Sequence, residues 1–400
     1  MSERTARLGG IAQGVQRRVL AVACGAHALH DGFTDLLYVL LPLWQVEFGL
    51  GYAEIGILRA LYAGTMASFQ LPAGMLAERL GGPRLLAFGT ALAGCGYAAA
   101  GAGGSLAALM AALAVGGLGS SVQHPIGANL VARAFAGRHS RVALARYNFA
   151  GDLGKMALPA ATAWLVATMP WRRATVLLAM LGLLAAGLIL TLCRAPAEGR
   201  APAGETDREA ATAASGRGFP LLLAIGVIDS ATRMGFLTFL PFLLRLKGAP
   251  LPLIGTALTL VFAGGAAGKL VCGSLGVRIG AIPAVCLSEA LTAAGILALL
   301  PLSLYAALAV LPAIGIALNG TSSVLYGTVP ELVRPERRQR AFSLFYTGAI
   351  GAGAVSPALY GLVSDAVGVA GMMALVAGIV LVTLPLAWAL RPALRPLPEL

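Results

Sequence analysis

The sequence predicts an all-α membrane protein of twelve transmembrane helices in two pseudo-symmetric six-helix bundles. Three observations predict it. Hydrophobic residues make up 58% of the 400 residues, charged residues only 12%, and mean hydropathy is +0.82; a soluble domain of this size needs far more charge on its surface. Apolar stretches of roughly 20 residues, the length that crosses a bilayer, recur twelve times. The chain also repeats itself: Asp31 and Pro42 return as Asp229 and Pro241, and Gly74-Met-Leu-Ala-Glu-Arg-Leu-Gly81 returns as Gly273-Ser-Leu-Gly-Val-Arg-Ile-Gly280, at offsets of 198 and 199. Duplicated halves are characteristic of secondary transporters, with the substrate site where the halves meet.

The spans are expected near residues 18–43, 54–77, 84–103, 107–132, 142–167 and 171–193, then 218–245, 252–276, 281–299, 304–329, 342–363 and 370–391. Helices are required because lipid offers the backbone no hydrogen-bond partner, and the ten-residue alternation of a membrane barrel is missing. The first span follows Arg17-Arg18. Its apolar run before Cys24 is about five residues, short of an export-signal core, so it reads as an uncleaved anchor. The second ends in Gly74–Gly81 and the third opens after Pro83. The fourth holds Ser120, Ser121, Gln123 and His124-Pro125, a polar wall bent by proline. The fifth presents Asn148, Asp152 and Lys155 on one face, ahead of Pro159, and the sixth opens with Arg172-Arg173.

The polar stretch 194–217 reads as a cytoplasmic linker between an N-terminal half, 1–193, and a C-terminal half, 218–400. The seventh span carries Asp229 and Arg233, the eighth Lys269, and the ninth Glu289. The tenth carries Asn319 to Ser323 and Tyr326, the eleventh Gly348 to Gly353 and Pro357, which repeats Pro159 at offset 198, and the twelfth ends at Arg391. Short connections make sequential helices antiparallel neighbours and leave no room for a catalytic domain.

The net charge is +12, but its distribution argues against nucleic acid. With the N-terminus inside, 21 basic residues fall on the cytoplasmic side, against Arg172, Arg173, Arg245 and Lys247 on the other. That bias places both termini in the cytoplasm. Five cysteines form no Cys-x-x-Cys pair and read as small apolar packers. No His-Glu-x-x-His, paired-Asp or Cys/His set and no phosphate-binding loop is present, so neither an enzyme nor a nucleotide-driven pump is expected, and neither cofactor nor metal.

The chemistry concentrates in the first span. His27, Asp31 and Asp35 are spaced four apart and share a face, with His30 and Thr34 on its flank. A charged side chain at mid-bilayer costs about 2.5–3.5 kcal/mol, so two carboxylates on one stripe demand protonation, pairing or water. Asp31, with His27 and His30, is the expected proton carrier. The purely structural alternative is that these polar groups bind neighbouring helices. Arg233 occupies the repeat position of Asp35, so the two can pair or compete for a charged solute. Asp35, Arg233, Asp229, His124, Asn148, Asp152, Lys155, Lys269 and Tyr326 are the expected substrate-cavity residues. Asp152 and Lys155 can also pair at i, i+3, and Arg59 is expected to snorkel to the outer surface.

Gly74 to Gly81 resembles the signature loop of the major facilitator superfamily, Gly-x-Leu-Ala-Asp-Arg-x-Gly followed by basic residues. Glu78 replaces the usual Asp, and Gly82-Pro83 stand where basic residues are expected. The resemblance implies the major facilitator fold and assigns a cytoplasmic gate to Gly74, Glu78, Arg79 and Gly81. A narrower likeness is to the fosmidomycin-resistance group of drug efflux proteins. It rests on His27 and Asp31, His124-Pro125, Gly137-Arg-His139, and Gly151-x-x-Gly154 to Pro159, with Asp152 and Lys155 as departures.

These readings imply a monomeric, proton-coupled transporter of the bacterial inner membrane that moves a small organic solute by alternating access, with efflux as the direction the likeness implies. Symport of an anionic metabolite is the alternative, and a non-transporting receptor the more distant one. The expected partners are the solute, protons and membrane lipid.

Overall fold

A computed structural model describes residues 3–135, 137–193, 218–334 and 337–394. The expected linker, 194–217, lies outside the described residues. Among those described there are helices and no strand. The first half comprises α1 (Glu3–Phe48), α2 (Tyr52–Leu80), α3 (Gly82–Ala102), α4 (Leu106–Ser120), α5 (Gln123–Ala134), α6 (Gly137–Thr168) and α7 (Trp171–Leu192). The second comprises α8 (Gly218–Leu246), α9 (Leu251–Ile279), α10 (Ala281–Leu299), α11 (Leu304–Leu332), α12 (Arg338–Leu381) and α13 (Thr383–Leu390), then a 3₁₀ turn, Arg391–Ala393.

Two departures from one helix per span have local causes. α4 and α5 form a single span broken at Ser121-Val122. Pro125 offers no N–H to the Ser121 carbonyl four residues back, and the helix interrupts there. α12 instead joins two expected spans across Gly368, whose φ of 75° is left-handed. With α4 and α5 taken as one rod, α12 as two and α13 as the continuation of the second of these, six rods stand in each half among the described residues.

The repeat is visible in the backbone. α2 and α9 are both 29 residues long, and both ends are offset by 199. The turns that flank them use glycines of positive φ at matching places, Gly49 (64°) with Gly248 (86°) and Gly81 (86°) with Gly280 (91°). Such angles are cheap only for glycine. Helix approach repeats too. Gly117 lies against the Tyr62 carbonyl and Gly315 against the Val261 carbonyl, where any Cβ would clash. Small residues allow this contact in lipid, where packing replaces the hydrophobic drive between helices.

The chain forms two compact units, Met1–Leu37 with Leu61–Pro202, and Tyr38–Ala60 with Ala203–Leu400. In the first, α3 packs against α4 and α7, and Tyr62 and Ser120 share a hydroxyl hydrogen bond of 2.6 Å. In the second, α9 packs on α11 and α8 on α12, around Ile225, Leu325, Val329 and Phe345. Large apolar side chains such as Leu184 and Leu270 are exposed, as a lipid-facing surface requires.

The second unit also holds the ends of α1 and α2 that surround their connecting turn. The Asp365 carboxylate on α12 accepts hydrogen bonds from the Tyr52 and Ala53 amides at 2.6 and 2.9 Å, and Glu54 accepts from Gly51 at 2.8 Å. These satisfy amides that the first turn of α2 cannot pair internally. Arg59 departs from its expected place at the outer surface: it is buried, 1% exposed, with its guanidinium over the Tyr38 ring at 5.0 Å and a hydrogen bond to the Tyr38 hydroxyl at 3.2 Å. An aromatic face and a hydroxyl replace water for this cation.

Candidate functional site

The polar residues of the first unit converge on Asp31. Its side chain is 8% exposed. Oδ1 lies 3.4 Å from Nε2 of His27 and 3.8 Å from Nε2 of His30, while Oδ2 lies 3.3 Å from Nζ of Lys155. The helical spacing of α1 stacks His27 one turn before Asp31. α6 brings Lys155 from the opposite side.

Close approach of α1 and α6 depends on two glycines. A Cβ at Gly151 would stand 2.6 Å from Asp31 Oδ2 and 2.8 Å from His27, and one at Gly154 would strike the Ala28 carbonyl. Tyr147, one turn before Gly151, fixes His27. Its carbonyl contacts Nδ1 at 2.9 Å and its ring stacks on the imidazole at 4.0 Å. Gln123, from the start of α5, reaches the Tyr147 hydroxyl at 3.4 Å. His124 beside it is exposed and meets the rings of His30 and His27 edge-on, at 4.8 and 5.5 Å.

Asp35 is buried one turn beyond Asp31, and Asp152 is buried on α6. Both carboxylates act on the Lys155 charge after that of Asp31. Lys155 therefore reaches past its own helix to α1, where the i, i+3 spacing alone suggested Asp152. Asn148 is exposed on α6. Donor atoms of His27, Asp31 and His124 lie within 4.8 Å of one another, a spacing that suits a metal ion. Lys155 already supplies positive charge to that carboxylate, which works against adding a divalent cation there.

In the second unit, Arg233 pairs with Asp229 on its own helix at 3.7 Å. Tyr326 is half-buried and stacks on Tyr346 at 4.6 Å, and Lys269 is half-buried on α9. Gly74, Glu78 and Arg79, expected in a loop, belong to the last turns of α2, and only Gly81 makes the turn. Glu78 and Arg79 are exposed there.

Sequence reasoning missed Tyr147, and it quoted Gly151 without seeing its use. The signal was present: Tyr147, Gly151 and Lys155 are spaced i, i+4, i+8 on α6, a stripe beside the one read from Asn148 and Asp152.

Comparison with known proteins extends this geometry to the whole chain. A model of the Major Facilitator Superfamily matches residues 23–226 and again 221–400. The fosmidomycin resistance protein of Escherichia coli K12 is 27% identical over 172 residues, 42% of each chain; the match thus spans less than half of that relative. Two crystal structures of a bacterial homolog of the human lysosomal transporter Spinster, inward-facing and either occupied or unoccupied, share the fold at TM-score 0.79 and 16% identity. They cover 94% and 95% of this chain and 96% and 98% of theirs. Twelve helical rods, a backbone repeat and two successive matches to one family model agree: the chain belongs to the Major Facilitator Superfamily and is a membrane transporter of the alternating-access kind.

Proposed function

We propose that this transporter is proton-coupled and that Asp31 carries the proton. The observation behind the reading is a buried carboxylate held between two imidazoles and an ammonium group. The Tyr147 carbonyl can only accept, so Nδ1 of His27 donates to it. Nε2 of His27 then faces Asp31 Oδ1 either as an imidazolium N–H or as a lone pair opposite a carboxyl O–H. In both arrangements one exchangeable proton lies between the two side chains, and Lys155 compensates the carboxylate when that proton leaves.

The cargo is a small organic solute, and Asp35, Asp152, His124 and Asn148 in the first unit with Asp229, Arg233, Lys269 and Tyr326 in the second are the groups we assign to its recognition. Efflux is the direction favoured by the likeness to the fosmidomycin resistance protein, whose own substrate is not carried over. The positive-inside bias supports both termini in the cytoplasm of a bacterial inner membrane. Glu78 and Arg79, exposed at the end of α2, are assigned to the cytoplasmic gate. Import of an anionic metabolite is a second reading, favoured by Lys155, whose side chain stays 31% exposed while it holds Asp31.

Proteoliposomes carrying Asp31→Asn test the assignment. A pH gradient should no longer concentrate solute in the variant, whereas solute counterflow should survive. Gradient-driven accumulation by Asp31→Asn at the wild-type level overturns it.

A further inference from the structure

The second unit contains a carboxyl that the proposed cycle does not use. Glu289 sits near the middle of α10, a helix otherwise built of apolar and small residues. It is 1% exposed, and among the described residues its Oε1 has no hydrogen-bond partner. Two hydroxyls of the second unit share that condition, Thr292 one turn on and Thr232 on α8. An ionised carboxylate in such a place carries a large desolvation penalty unless it is paired.

The charges that act on Glu289 are Asp229 and Arg233, both on α8. Arg233 is engaged with Asp229 at 3.7 Å. Two carboxyls thus lie in the field of one guanidinium, which contacts Asp229, and ionising both leaves a net negative charge in a buried, membrane-spanning region. One proton makes the set neutral. Other titratable groups are available on the neighbouring helices: Cys286 on α10 itself, Tyr326 on α11 stacked on Tyr346 of α12, and Lys269 on α9. α13 carries none. Of these, Tyr326 lies in the field of Asp229 and Arg233.

We propose that Glu289 is a second proton-binding site: it holds its proton as a carboxylic acid while Arg233 is paired with Asp229, and yields it to Asp229 when the guanidinium turns to Glu289. One O–H bond breaks at Glu289 and one forms at Asp229, while the positive charge moves the opposite way, so the region stays neutral. The inference extends the proton-coupled reading to the second half, but the protonation itself does not depend on Asp31.

Infrared spectroscopy of the full chain in proteoliposomes at neutral pH tests it without any solute. The carbonyl stretch of a protonated carboxylic acid should stand as a positive band in the wild-type-minus-variant difference for Glu289→Gln; coincident spectra in that region overturn the proposal. Should Glu289→Gln fail to insert, Asp229→Asn serves instead. With one carboxyl left to face Arg233, Glu289 should ionise and its acid band should disappear, and a band that persists overturns the exchange. A wild-type acid band assigned to Glu289, in vesicles where a pH gradient drives no transport, supports this site and removes the reading of Asp31.

Discussion

Nζ of Lys155 stands 3.3 Å from Oδ2 of Asp31, so a cation carried by α6 answers the carboxylate that α1 buries. The contact joins two helices 124 positions apart in sequence and turns two expensive charges into one nearly neutral group. Neutralising Asp31 would leave Lys155 to Asp35 and Asp152, the other carboxylates that act on its charge.

Lys155→Met removes the ammonium and leaves Asp31 without its cation. Losing a charged hydrogen bond of this kind costs about 1.5–3 kcal/mol, so the thermal midpoint of the purified protein should fall. Adding Asp31→Asn should restore most of the loss, because an amide needs no counter-charge. A double variant that unfolds no later than Lys155→Met alone would show that the pair contributes little.

Gly151→Ala places a methyl group 2.6 Å from Asp31 Oδ2. Overpacking of this kind costs about 1–3 kcal/mol, and relief requires α6 to withdraw from α1. Thermal unfolding and gradient-driven transport should both suffer. A variant with unchanged melting and unchanged transport contradicts the close approach.

Asp229→Asn and Arg233→Gln should each destabilise the second unit, and the double variant should lose less than the sum. Pairs in contact show coupling of roughly 0.5–3 kcal/mol in such cycles. Additive losses would mean that the 3.7 Å pair is not an energetic one.

Asp365→Ala withdraws the acceptor from the Tyr52 and Ala53 amides. Loss of a helix N-terminal acceptor typically costs about 1 kcal/mol, so hydrogen exchange at these two amides should accelerate several-fold while the centre of α2 is unaffected. Equal exchange rates in the two proteins would assign the protection to another group.

The spans were legible in sequence because bilayer thickness sets their length, and the repeat was legible because its markers, Pro42 with Pro241 and Gly81 with Gly280, hold backbone positions. The His27–Asp31 pair was legible for a similar reason, since i, i+4 spacing within one helix fixes proximity. Contacts between helices were not. Asp152 lies three residues from Lys155, yet the carboxylate within 3.3 Å comes from α1, because helix rotation decides which stripe of α6 faces inward. Arg59 looked like a surface cation because composition does not reveal that Tyr38 offers it a ring and a hydroxyl. The break before Pro125 follows from proline chemistry, although the sequence reading anticipated a bend and not an interruption.

Gly151 and Gly154 also limit how this transporter can change through evolution. A residue added at either position collides with Asp31, His27 or the Ala28 backbone, so the seam between α1 and α6 tolerates almost no drift. Asn148 is exposed beside that seam and is not held to one size in this way. Diversified libraries spanning 147–155 should therefore return survivors unevenly: few at the two glycines, many at Asn148. New solute preferences would arise at the accessible rim, with the seam between α1 and α6 passed on unaltered.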